Sequence, residues 1–91
     1  MRIYVENMRS PSGKSLVPNQ YIIWTDDGKR FQSYGTTIAL IDNEGNVFLN
    51  KDSWNYSRTT SQYRNLFLKE TLAETRKKIK DGTYKLVNLR W

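Results

Sequence analysis

Hydrogen-bond donors are concentrated in one short stretch, NYSRTTSQYRN, which spans residues 55–65. The stretch combines two arginines with hydroxyl and amide side chains, and it contains no acidic residue. If a helix begins here, its unpaired N–H groups and positive dipole end would join these donors in a site for an anion such as phosphate. The competing interpretation is structural, because Ser57, Thr59 or Thr60 is an ordinary helix cap and Arg64 could pair with a carboxylate of a sheet.

A polar ridge and a second basic group extend the candidate site. The ridge side chains recur at i, i+4, i+7 and i+11, so they share one helical face. The second group lies in the sequence RKKIK, and its lysines would also complement the dipole at the end of a helix. A tryptophan at the end of the chain could contact a partner or cover a thin core. Together the predicted anion-binding or partner-binding residues are Ser57, Arg58, Thr59, Thr60, Gln62, Arg64, Asn65, Lys69, Arg76, Lys77, Lys80 and Trp91.

The net charge of +6 is unevenly distributed. Residues 1–56 hold six basic and six acidic side chains, whereas residues 57–91 hold nine basic and three acidic ones. An excess confined to the last third of the chain favours an acidic partner, which is a nucleic acid, a nucleotide or an acidic protein surface. The alternative is a solvated basic face that serves solubility.

The same sequence offers little for catalysis. It has no histidine, which is the commonest general base and zinc ligand, and no cysteine, so thiolate chemistry is also missing. SPSGKS ends like a phosphate-binding loop but has Met8 where the first glycine is needed, and DNEGN starts like a calcium loop whose closing glutamate is replaced by Ser53. Asp26 and Asp27 are adjacent in a turn, and no second carboxylate is predicted to face them. We therefore predict a protein that is not an enzyme and uses no cofactor or metal.

Alternating apolar residues and turn signals indicate strands in the first half of the chain. RIYVEN and QYIIWT have strand character, and Asp27-Gly28 is predicted to form the two-residue turn of a hairpin between strands near residues 21–25 and 29–34. Gly35 is interpreted as a bend or bulge before TTIALID, and DNEGN as a second turn before NVFLN. Residues 8–19, rich in Ser, Pro, Gly and Lys, are predicted to be a flexible loop.

After Ser57 the period becomes helical. Tyr63, Leu66 and Phe67 share one face, but its extension meets Glu70, so two short helices near 59–68 and 71–81 are predicted, with a single bent helix as the alternative. Thr71-x-x-Glu74 has the form of a capping box. TYKLVNL then reads as a returning strand. The 91 residues are thus predicted to form a single α+β domain (1–91), an antiparallel sheet of about four or five strands with two short helices on one face and a C-terminal strand.

Three segments carry a resemblance to a family. FQSY, VFLNKDSWNYSRTTSQYRN and ETRKKIKDGTYKLVNL resemble a small uncharacterised domain of bacteriophages and mobile elements of Gram-positive bacteria, over most of residues 21–89. In that family glycine often stands where this chain has Lys69, which implies a break between the helices. The resemblance implies a phage context and no established activity, and the N-terminal loop lies outside it.

Two functions follow as expectations. The first is a non-enzymatic, phage-type accessory protein that binds a host or phage macromolecule through its basic C-terminal third, with anti-CRISPR-like inhibition of a defence complex as one such role. The alternative is a nucleic-acid-binding or nucleotide-binding module. Because no membrane segment or signal sequence is evident, a cytoplasmic location is expected.

Overall fold

The computed structural model of the protein describes residues 3–89, which form an α+β structure. One sheet of six strands contains every strand in chain order, so each strand lies beside its neighbour in sequence. Two helices follow the fifth strand. The elements are β1 Tyr4–Arg9, β2 Leu16–Thr25, β3 Gly28–Ser33, β4 Thr36–Asp42, β5 Val47–Asn50, α1 Arg58–Leu68, α2 Leu72–Lys80 and β6 Lys85–Val87.

The C-terminal strand departs from the predicted antiparallel arrangement and raises the strand count above the predicted four or five. β6 pairs with β5 in parallel, with Phe48 opposite Lys85 and Asn50 opposite Val87. The four other strand pairs are antiparallel. Parallel neighbours need a long crossover connection, and here the segment containing α1 and α2 provides it.

The hairpin between β2 and β3 lies where it was expected, but its turn is shifted by one residue. Thr25 pairs with Gly28, so the two loop residues are Asp26 and Asp27 rather than Asp27 and Gly28. Gly28 lies inside the sheet, also pairs with Asp42 of β4, and has a φ of 139°. Glycine is required there by the strand geometry and not by the turn itself.

Replacement of Gly28 by alanine is expected to lower the free energy of unfolding by about 2–3 kcal/mol. An added Cβ would lie 2.1 Å from the backbone oxygen of Ile41, and its φ of 139° is one that side-chain-bearing residues rarely adopt. The position is at the end of a hairpin, so local fraying limits the loss. Urea denaturation measures the effect, and Gly13→Ala, where a Cβ meets nothing within 4 Å and φ is also positive, separates the clash from the conformational strain.

Two other connections differ from the expectations. Tyr34 and Gly35 form the two-residue loop between β3 and β4, with φ values of 51° and 80°, so Gly35 is part of a tight turn rather than a bend or bulge. The bulge of this hairpin lies further along, between the pairs Phe31–Ala39 and Gln32–Thr37. The loop predicted at residues 8–19 is confined to residues 10–15, because β1 and β2 extend into both of its ends.

The helices confirm the predicted caps and the break between them. Ser57 is the N-cap of α1, and Thr71 with Glu74 forms the capping box of α2. Lys69 ends α1 in a left-handed conformation, with a φ of 58° and its N–H donated to the Asn65 carbonyl. A break that glycine would make easily is thus made here by lysine, at some conformational cost.

The core lies where α1 meets the sheet. Phe31, Ile38 and Leu49 are fully buried strand residues, and Tyr63 and Phe67 of α1 join the same cluster. The rings of Phe31 and Phe67 have centroids 5.9 Å apart, and the Ser33 and Thr60 hydroxyls are 3.0 Å apart across the interface. These contacts position the N-terminus of α1 relative to β3. The location of both helices on one face of the sheet stays a prediction.

Candidate anion-binding groove and basic surface

The first turn of α1 is built from hydroxyl groups and carries no acidic residue. Ser57 Oγ accepts a hydrogen bond from the Thr60 N–H at 3.1 Å and donates to Thr60 Oγ1 at 3.0 Å. Thr60 is fully buried against Ser33, and Thr59 is half-buried. Of the three predicted caps, Ser57 is the N-cap, while the Thr60 hydroxyl is hydrogen-bonded to Ser33 of the sheet. The positive end of the helix dipole is therefore left without a side-chain carboxylate.

An open polar groove lies beside this turn, between the segment that precedes α1 and the first two turns of the helix. Arg58 and Gln62, both exposed, and half-buried Asn65 belong to it, so three members of the predicted ridge come together. Lys69, the fourth, ends the helix and does not line the groove. The lining residues are Asn55, Tyr56, Ser57, Arg58, Ser61, Gln62 and Asn65, and none of them is acidic.

Arg64 does not stand open in this groove, because its side chain is fully buried. Nη1 donates to the Trp54 carbonyl at 2.8 Å and to Asn55 Oδ1 at 3.0 Å. Nη2 donates to Ser61 Oγ at 3.0 Å and to Asn65 Oδ1 at 2.9 Å. The guanidinium also lies over the Trp54 ring, 5.3 Å from its centroid. Arg64 thus connects the segment that precedes α1, through Trp54 and Asn55, to the helix itself, through Ser61 and Asn65.

The electrostatic environment of Arg64 is unusual for a buried cation. Burial lowers the pKa of the guanidinium, the charge of Glu70 raises it, and the charge of Arg76 lowers it further, with a net decrease. Arginine nevertheless stays charged at neutral pH. Its four oxygen partners are uncharged, and within residues 3–89 it makes no ion pair with a carboxylate. The sheet carboxylate considered as its partner is therefore not found in the described structure.

The other cations of the last third are mostly exposed. Residues 57–89 have six exposed basic side chains, against two exposed acidic ones, Glu74 and Asp81. Both of these acids are engaged locally, Glu74 in the capping box and Asp81 with Thr83. The exposed cations are Arg58, Lys69, Arg76, Lys77, Lys80 and Lys85. Trp91 lies outside the described residues.

The third acidic side chain, Glu70, is withdrawn into a cluster that sequence reasoning did not identify. Its side chain is 3% exposed, and Oε1 accepts hydrogen bonds from Lys78 Nζ and from Tyr84 Oη, both at 2.7 Å. Oε2 accepts from the buried Thr75 hydroxyl. One signal in the sequence could have identified it. Glu70 falls where the apolar face of α1 would continue, which is a position that turns toward the interior at the helix break.

These contacts shift the pKa values of the cluster. Burial alone would raise the pKa of Glu70, but hydrogen bonds from Lys78, Thr75 and Tyr84 together lower it. The hydrogen bond to Glu70 raises the pKa of Lys78, and burial followed by the same carboxylate raises that of Tyr84. The cluster is consequently a negative carboxylate held by neutral and positive donors. It joins the helix break to the segment leading into β6.

The two remaining candidate motifs lie in turns between strands. Among the residues described, no group of three or more acidic side chains is placed to hold a metal ion. The SPSGKS segment closes a hairpin and leads into β2, whereas a phosphate-binding loop leads into a helix. DNEGN forms the turn between β4 and β5, in which Asp42 accepts hydrogen bonds from the Glu44 and Asn46 N–H groups. No helix within residues 3–89 has the length and apolar character needed to cross a membrane.

The fold and the groove define a class of small α+β protein with a cationic C-terminal third. The chain belongs to a family of unknown function, DUF8033, whose match covers residues 3–82. The match includes the hairpin loop at residues 10–15, which the resemblance seen in the sequence left out. No curated protein and no solved structure matches the chain.

Proposed function

We propose that the protein is a non-enzymatic module that binds an anionic macromolecule through its basic C-terminal third, with nucleic acid as the best-supported partner. The observation that carries the proposal is the imbalance of exposed charge in residues 57–89, six cations against two locally engaged acids. None of these six cations is in an ion pair within the described structure. They are therefore available to neutralise phosphates, which releases counterions and drives binding.

Burial of Glu70 strengthens this imbalance. The Glu70 carboxylate is buried and pairs with the partly exposed Lys78, so it does not offset any of the six exposed cations. Arg76, Lys77 and Lys80 are left exposed on α2, while Arg58 is exposed at the start of α1. The charge of Arg76 contributes to lowering the pKa of Arg64, so electrostatic influence extends from α2 to the buried arginine. A diffuse field of this kind suits a phosphate backbone.

Charge reversal tests the proposal with a matched pair. Lys77→Glu is expected to weaken binding of a fluorescent single-stranded oligonucleotide about tenfold near 50 mM salt, measured by anisotropy, whereas Arg76→Lys keeps the charge and binds within about twofold of the wild type. Lys14→Glu makes the same charge change in the hairpin loop at residues 10–15 and is expected to lose less than about threefold. Equal losses for Lys77→Glu and Lys14→Glu would assign the effect to net charge and contradict a binding surface in the last third.

A protein partner is the second candidate, and the edge of the sheet favours it. β1 is an edge strand, and Tyr4 and Val5 at its start are more than half exposed, as is Ile3 just before it. Exposed apolar groups on an edge strand are features of protein interfaces. Trp54 is less suitable as the apolar centre of an interface, because it is half-buried under Arg64. A phage-type inhibitor of a host complex acting in the cytoplasm belongs to this candidate, and partner capture that withstands nuclease and high salt would support it.

A further inference from the structure

We propose that the groove beside the first turn of α1 is a binding site for a single phosphate group, held by hydrogen-bond donors that the buried Arg64 orients. The inference deepens the proposed function, since the basic surface would attract the anion and the groove would bind one of its phosphates. Three observations carry it: a buried cation without a carboxylate partner, a groove in which three side-chain oxygens accept from that cation, and the open end of a helix.

The first observation is the burial of Arg64. A fully buried charge is costly unless it is paired and hydrogen-bonded. The four oxygens that accept from Arg64 are neutral, and its buried Nε makes no hydrogen bond within the described residues. Glu70, which raises its pKa, is already bonded to Lys78. The positive charge beneath the groove is therefore only partly compensated, and an anion in the groove would complete the compensation.

The second observation is the orientation of the lining side chains. Asn55 Oδ1, Asn65 Oδ1 and Ser61 Oγ all accept hydrogen bonds from Arg64. In each amide the oxygen is thereby directed at Arg64, so the NH2 group is the end left to donate to a ligand. The Ser61 hydroxyl, having accepted from Arg64, is left to donate. Arg64 thus orients three lining side chains so that they can donate to a ligand, whereas the side chains of Tyr56 and Gln62 are left able to donate or accept.

The third observation is the first turn of α1. Ser57 Oγ accepts from the Thr60 N–H, and the Ser57 carbonyl accepts from the Ser61 N–H, so the N–H groups of Arg58 and Thr59 remain for a ligand. The exposed guanidinium of Arg58 lies in the groove lining. Amide, hydroxyl and guanidinium donors around the positive end of a helix match an oxyanion with several acceptors. Because the groove is open, the phosphate can be free inorganic phosphate or part of a larger molecule.

Titration of the 15N-labelled protein with inorganic phosphate, at constant ionic strength, tests the site by NMR. We expect saturable shifts of the amides of residues 58–62 and of the Asn55 and Asn65 side chains. Asn65→Asp and Gln62→Glu each place a carboxylate in the lining and are expected to weaken phosphate binding at least about tenfold. Asn65→Asp keeps an oxygen for Arg64, so it is also expected to unfold at a temperature no lower than that of the wild type.

The control Asn88→Asp adds the same charge at an exposed position outside the groove and is expected to bind phosphate as the wild type does. A dinucleotide with and without a 5′-phosphate distinguishes the source of the ligand. Preference for the phosphorylated form indicates a terminal phosphate, and equal binding of both forms indicates a backbone phosphate. Shifts absent from the groove, or equal affinity in the wild type, Gln62→Glu and Asn65→Asp, would overturn the inference.

The two proposals can fail separately. Saturable phosphate shifts without oligonucleotide binding would leave the groove in place and reject the basic surface as a nucleic-acid interface. Oligonucleotide binding that depends on Lys77 but not on Gln62, together with no phosphate shifts, would reject the groove alone.

Discussion

Replacement of Arg64 by lysine is expected to lower the free energy of unfolding by about 3 kcal/mol, although the net charge is unchanged. The forked guanidinium reaches four oxygens on both sides of the groove, among them the Trp54 carbonyl and Asn55 Oδ1. A lysine has a single terminal nitrogen, which cannot contact all four oxygens at once. Several of these acceptors therefore lose their partner while the charge stays buried. Urea denaturation followed by tryptophan fluorescence measures the change, since Trp54 lies directly under the guanidinium.

The matched control is Arg58→Lys, the same substitution at the exposed first residue of α1. It is expected to change stability by less than about 0.5 kcal/mol. In the groove, Arg64→Lys is also expected to broaden or shift the Asn55 and Asn65 side-chain amide signals, because their oxygens lose a fixed donor. If Arg64→Lys were as stable as Arg58→Lys, the hydrogen-bond network around Arg64 would not be the element that holds the groove together.

Replacement of Glu70 by glutamine is expected to lower the free energy of unfolding by about 3 kcal/mol at pH 7. The amide keeps the shape but removes the charge that Lys78 contacts, and its NH2 group cannot accept from the Thr75 or Tyr84 hydroxyl. Thr75 is fully buried and cannot turn to water instead. The control is Glu74→Gln, because glutamine also serves in a capping box, and its cost is expected to be much smaller than that of Glu70→Gln.

The pH dependence of stability gives a second readout of this cluster. The pKa of Glu70 is lower in the folded protein than the ordinary value of a glutamate, so the folded state favours the ionised form. The corresponding stability is fully present above that value and is lost as pH falls through the folded pKa. The pKa values of Asp42, Glu74 and Asp81 are also lowered, so these groups lose stability in acid as well. Glu70→Gln should therefore reduce the loss of stability at acid pH without abolishing it. If the stability of Glu70→Gln fell with decreasing pH as steeply as that of the wild type, the assignment to Glu70 would be contradicted.

Local signals in the sequence predicted the helical half of the fold well. The caps at Ser57 and Thr71 act within four residues of themselves, so residue types locate the start of α2 and limit the start of α1 to three candidate caps. The break at Lys69 was also predictable, because the apolar face of α1 ends at Glu70. The turn of the β2–β3 hairpin was misplaced by one residue, because Gly28 is required by its close approach to Ile41 on β4, a neighbour 13 residues away.

Contacts between residues far apart in the chain could not be predicted from local sequence patterns. The parallel pairing of β6 with β5 depends on how the two helices carry the chain back to the sheet, and no local pattern encodes that direction. For Arg64 the sequence left open an anion-binding role and a pairing with a sheet carboxylate, and only its hydrogen bonds to Asn55 and Asn65 reveal its role. The cluster of Glu70 with Tyr84 likewise joins residues 14 positions apart.

The most direct test of the central claim is the salt dependence of oligonucleotide binding by the wild-type protein. If the exposed cations of residues 57–89 contact a phosphate backbone, the logarithm of the association constant should fall linearly with the logarithm of salt concentration, with a slope of about −2 to −4 for three to six contacts on a single strand. Lys77→Glu, which removes one such contact, should reduce the magnitude of that slope by about 0.7. No measurable binding at low salt, or affinity that does not change with salt, would contradict the claim and leave the basic third as a solvated face.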